Sequence, residues 1–151
     1  MNRKFKISDL DQERFEAKID SELEMLWANP DSRIGTHTGK PRTKNEMRRD
    51  LRQGLAAEQY LIEKLGFKND RQGFRDVRNQ AGISCEVKTA ISKDKLIKHL
   101  DIFAGRKRRY PTNSDYVCTF IVDIQTSDDY AYEFEGMYKW NGTTFELFEK
   151  A

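Results

Sequence analysis

Asp76-Val77-Arg78-Asn79-Gln80-Ala81-Gly82-Ile83-Ser84-Cys85-Glu86-Val87-Lys88 is the stretch on which the fold turns. Residues 67–78 and 82–89 read as adjoining strands, and Asn79-Gln80-Ala81-Gly82 supplies the turn between them. Side chains alternate along a strand, so Ile83, Cys85 and Val87 face one way and Ser84, Glu86 and Lys88 the other. A hairpin folded at this turn carries Asp76 back to Glu86, which places two carboxylates and an ammonium together.

Downstream, Ser92 caps a helix whose apolar stripe is Leu96, Ile97, Leu100 and Phe103 and which Gly105 is expected to end. Arg106-Lys107-Arg108-Arg109 then reads as a basic loop. Residues 116–124 are apolar at nearly every position, as in a central strand covered on both sides. Residues 130–140 alternate more clearly, and Asn141-Gly142 turns the chain into a last strand over 143–148.

Upstream, Thr43-Lys44-Asn45-Glu46 is a capping box opening a helix with Met47, Leu51, Leu55, Ile62 and Leu65 on one face and Gly66 at its C-cap. The seven-residue gap in that stripe holds Glu58, a carboxylate whose placement calls for a cation or hydrogen-bond donor. Ser8-Asp9-Leu10-Asp11 reads as a second capping box, for a helix over about 9–28 with Phe15, Ile19, Leu23, Leu26 and Trp27 along its buried stripe. Between the helices, residues 30–43 have the composition of an exposed basic loop. Helix, helix, hairpin, helix and three strands predict an α/β fold, with a mixed central sheet flanked by helices. Its 151 residues suit one domain, with a core over about 46–148.

Charged residues make up 34% of the chain, yet the apolar residues fall in periodic blocks, as in a folding sequence. From residue 110 onward there are two basic and eight acidic residues, net −6; the first 109 carry 25 basic and 17 acidic, net +8. Such a positive half suits a phosphate-bearing partner. Lys40, Arg42, Lys44 and Arg48 in and after the first loop, with Arg106, Lys107, Arg108 and Arg109, are the candidate DNA-backbone contacts, a solvated charge run being the alternative. Tyr110 beside them is a candidate for stacking on a base. The absence of a long apolar run or signal-peptide core leads to the expectation of a cytoplasmic protein without a membrane span. Cys85 and Cys118 lie in predicted strands without metal-ligand spacing and are expected to be buried free thiols. His37 and His99 have no nucleophile or second histidine at a useful spacing.

Phosphodiester hydrolysis needs an activated water, a cation near the phosphate and stabilisation of the leaving oxygen; carboxylates holding a divalent ion can provide for all three. Asp76 and Glu86, with Glu58, are the candidate ligands, and their hard oxygens select magnesium, with manganese as a substitute. Lys88 is placed to orient the water or bind the scissile phosphate. A Glu-x-Lys tripeptide alone carries little weight, since Glu16-Ala17-Lys18 repeats it on the first helix. The strand setting, Asp76 across the turn and Glu58 upstream distinguish the second copy.

At these residues the chain resembles the PD-(D/E)xK nucleases, the restriction-endonuclease-like superfamily. Residues 46–124 carry the likeness, and the hairpin from Asp76 to Lys88 is similar to that of small type II restriction enzymes. Arg75 stands where the motif has proline. The resemblance implies Asp76 and Glu86 as metal ligands, Lys88 assisting the water and Glu58 adding to the metal shell. An endonuclease of this size, with one active site, would cut both strands most simply as a homodimer. Restriction, phage-type DNA degradation and junction resolution are all compatible with it, and the rival class is a nucleic-acid-binding module without catalysis.

Overall fold

The computed structural model describes residues 3–35, 39–69, 76–124 and 129–150. His37, Arg75 and the middle of the stretch expected as the 67–78 strand lie outside them. The chain runs β1 (Lys4–Lys6), a 3-10 turn (Ile7–Asp9), α1 (Gln12–Trp27), a second 3-10 turn (Pro30–Arg33) and α2 (Lys44–Leu65). It continues with β2 (Lys68–Asn69), β3 (Val77–Arg78), β4 (Ser84–Ala90), α3 (Lys93–Arg109), β5 (Tyr116–Asp123), β6 (Ala131–Trp140) and β7 (Phe145–Lys150).

One mixed sheet holds the strands in the order β1-β6-β5-β4-β3-β2, with β7 also paired to β6. The β4–β5 pair is parallel and the other pairs are antiparallel; α3 makes the crossover that a parallel pair requires. Helices α1 and α2 bury Phe15, Ile19, Leu55, Tyr60 and Leu61 with Val77, Cys85, Cys118 and Phe120. Leu100, Phe103 and Ala104 of α3 pack with Val117, Tyr138 and Phe145 in a second cluster. The α/β expectation therefore holds, with helices on both faces of a mixed sheet. Cys85 and Cys118 are free and fully buried on the neighbouring strands β4 and β5.

Four boundaries differ from the sequence expectation. Asp11, not Ser8, caps α1 by accepting from Arg14 N at 3.1 Å, because Ser8 donates its N–H and hydroxyl to Asp129 at 2.8 and 2.7 Å. Among the described residues the stretch 67–78 contributes two short antiparallel strands, with Lys68 opposite Arg78. Gly105 lies inside α3, which runs on to Arg109, where four cations suit the negative end of the helix dipole. Residues 30–43 hold the second 3-10 turn and a bridge between Ile34 and Pro41. The Thr43–Glu46 capping box, the Ser92 cap and Gly66 at φ 72° stand where the sequence placed them.

A bulge sets the phase of β6. The β5–β6 register shifts between Thr119 and Phe120, pairing them with Gly136 and Phe134 and leaving Glu135 as the extra residue. Hence Tyr132, Phe134 and Met137 join the α1–α2 cluster while Tyr138 joins the α3 cluster.

Candidate active site

Two backbone pairs build the site. Val77 lies opposite Cys85 and Arg78 opposite Ser84, so Asp76, one residue earlier, comes opposite Glu86. Asp76 N donates to Cys85 O at 3.0 Å, and the Asp76 carboxylate accepts from Val87 N at 2.8 Å. The side chain thus supplies a rung of the ladder and is oriented by it. Gly82 at φ 83° closes the turn, and Asn79 Oδ1 accepts from Ile83 N at 2.9 Å. The Asx residue and glycine read in the sequence are what make this turn.

Val77 and Cys85 face α1 and α2, and strand alternation turns Glu86 and Lys88 toward α3. Lys88 Nζ lies 4.6 Å from the centre of the Phe103 ring, and Arg106 Cζ lies 5.8 Å from the same ring. Burial pushes the Glu86 carboxyl up to about 7; the charge of Lys88 opposes this, Asp76 adds to it, and Arg106 opposes it. Asp76, Glu86, Lys88 and Arg106 therefore share one electrostatic environment.

Glu58 lies on the other layer of the sheet from α3. It is 5% exposed and sits on α2, the layer that packs against Val77 and Cys85, with Lys18 Nζ 3.9 Å from its Oε1. Among the described residues no group of three or more His, Cys, Asp or Glu side chains is gathered so as to hold a metal ion. The cation beside Glu58 is Lys18 of α1. That lysine belongs to Glu16-Ala17-Lys18, and Glu16 binds Arg48 and Arg52 at 2.7 and 2.5 Å. The tripeptide without strand context is a clamp between two helices.

The basic residues divide in the same way. Arg42 donates to Asp50 at 2.7 Å and to Ser32 O at 2.8 Å, Lys44 reaches Glu24 at 3.4 Å, and Arg48 also reaches Asp20 at 2.6 Å. Lys107, 6% exposed, binds the carbonyls of Pro111 and Asn113 and the carboxylate of Asp115 at 2.7 Å. Arg108 donates to Thr143 O at 2.7 Å. Lys40, Arg109 and Tyr110 are exposed, and His99 on α3 is half-buried. Most of the expected phosphate-gripping surface is engaged within the chain.

A neighbouring polar group has no counterpart in the sequence reading. Thr119, fully buried and paired with Lys88, donates to Glu135 at 2.6 Å. Lys93 also binds Glu135, and Tyr138 donates to it at 2.9 Å. Burial works against ionisation of Glu135, yet the hydrogen bonds from Lys93, Thr119 and Tyr138 hold its carboxyl below the usual range. The signal for this group was Glu135-Gly136, an acid and a glycine interrupting strand alternation, which is a bulge signature.

Compared with protein-family models, curated proteins and solved structures, the chain has no match. Two carboxylates side by side, with an ammonium on the same face, form a hard-oxygen donor set suited to a divalent ion that keeps most of its ligands as water or phosphate. The elevated Glu86 carboxyl is consistent with that fit, because a bound cation would favour its ionised form.

Proposed function

We propose that this protein is a magnesium-dependent DNA endonuclease of the PD-(D/E)xK kind, with manganese able to replace magnesium. The observation that carries the reading is the register of the β3–β4 hairpin, which sets Asp76 against Glu86 with Lys88 on the same face. Asp76 and Glu86 would hold the ion, which when bound supplies charge compensation at the phosphate and acidifies water. Asp76 is aimed by its bond from Val87 N, and Lys88 is held against Phe103, where its ammonium orients the attacking water. In the hydrolysis the water oxygen forms a new bond to phosphorus while one bridging P–O bond breaks. The proton lost by the water passes to solvent and the leaving oxygen takes one up, giving a phosphate end and a hydroxyl end.

A nucleic-acid-binding module without catalysis would use the same basic residues, so cleavage is what separates the two readings. Cutting both strands is assigned to a homodimer, and restriction, phage-type degradation and junction resolution fit the same site. Among the described residues no helix is long and apolar enough to cross a membrane; a cytoplasmic location is part of the same proposal.

The test is cleavage of supercoiled plasmid in magnesium. Wild type is expected to nick or linearise it, Asp76→Ala and Lys88→Ala to lose at least about 100-fold in rate, and excess chelator to stop the reaction. Equal cutting by all three proteins would remove the site assignment.

A further inference from the structure

We propose that the guanidinium of Arg106 binds the scissile phosphate beside Asp76 and Glu86 as a catalytic residue; the proposal rests on the nuclease reading. The sequence offered four consecutive cations, Arg106 to Arg109, as an undifferentiated DNA-backbone grip. Helix α3 sorts them. Lys107 is buried and tied to Pro111, Asn113 and Asp115, and Arg108 is tied to Thr143. Arg109 is exposed at the helix end.

Arg106 is the one of the four seen against the ring that also supports Lys88 of the hairpin. It lies one turn beyond Phe103, on the same face of α3, with its Cζ 5.8 Å from the ring that also supports Lys88 Nζ at 4.6 Å. One buried ring thus brackets the site with two cations of different type. An ammonium is a compact point charge suited to a water or a single oxygen. A guanidinium is planar, permanently charged and able to donate two parallel hydrogen bonds to a phosphate. During hydrolysis charge is spread over the non-bridging oxygens, where such a donor lowers the barrier more than it strengthens ground-state binding.

The experiment compares wild type, Arg106→Ala, Arg106→Lys, Lys98→Ala on the exposed side of α3, and Asp76→Ala. Single-turnover cleavage of a saturating DNA duplex is measured in magnesium, duplex affinity by fluorescence anisotropy in chelator, and thermal midpoint by circular dichroism. Arg106→Ala is expected to lower the cleavage rate about 100- to 1,000-fold, to weaken affinity less than about 10-fold and to leave the midpoint in place. Added guanidinium ion restores part of its rate, Arg106→Lys remains well below wild type, and Lys98→Ala cuts normally. Wild-type rate in Arg106→Ala overturns the proposal and leaves the nuclease reading standing. A loss accounted for wholly by affinity, or by a fallen midpoint without guanidinium rescue, overturns it too. Failure of wild type to cut, or cutting undiminished in Asp76→Ala, removes the nuclease reading itself.

Discussion

Glu86 is a carboxyl group whose surroundings oppose its ionisation, through burial and through Asp76, against the pull of Lys88 and Arg106. Its folded-state value near 7 exceeds the 4.5 of an exposed glutamate. The folded protein therefore binds more protons than the unfolded chain between those values, and stability falls as pH rises through that window. The contribution is fully present below about 4.5 and lost above about 7. Glu86→Gln removes the dependence, so it should raise stability at pH 8 relative to wild type by about 1–3 kcal/mol, with little difference at pH 4.5. Chemical denaturation at the two pH values measures this, and an equal effect at both would contradict the assignment. Added magnesium at pH 8 should narrow the gap by stabilising wild type alone.

At the scale of elements, the end of α3 is held by a lysine and not by a glycine. Lys107 joins the helix to the 111–115 turn through two carbonyls and Asp115, and Lys107→Met would leave those acceptors without it. A loss of about 2–4 kcal/mol is expected, seen as a thermal midpoint lower by about 5–15 °C; a change under about 2 °C would refute the role. This contact also marks where the sequence stopped being informative. Caps, the turn glycine and the Asp76/Glu86 pairing were readable, because each depends on residues close in the chain and on strand period. Ser8 was misread because its partner, Asp129, lies 121 positions away. Glu58 was readable as a carboxylate needing a cation, but not that the cation was Lys18 of α1. Composition cannot distinguish an arginine facing solvent from one already paired, which is why Arg42, Lys44 and Arg48 looked available.

Across the whole molecule, part of the positive charge of the first 109 residues lies in a seam between α1 and α2, where Glu16 stands between Arg48 and Arg52. Glu16→Ala frees Arg52 from its carboxylate and leaves Arg48 with Asp20 as its remaining one. It should cost about 1 kcal/mol, and steepen the salt dependence of DNA affinity by about one to two counterions, read from anisotropy titrations over a range of salt. An unchanged slope would mean that these guanidiniums never face DNA. The central sheet offers another handle on the molecule. The hydrogen bond with Cys85 and burial both push the Cys118 thiol well up, and thiolates, not thiols, react with alkylating reagents. The two sulfurs sit on β4 and β5, at the joint between the strand bearing Glu86 and Lys88 and its parallel neighbour. Their alkylation in native buffer becomes a clock for separation of that joint, timing the opening of the sheet beneath the hairpin without any label being introduced.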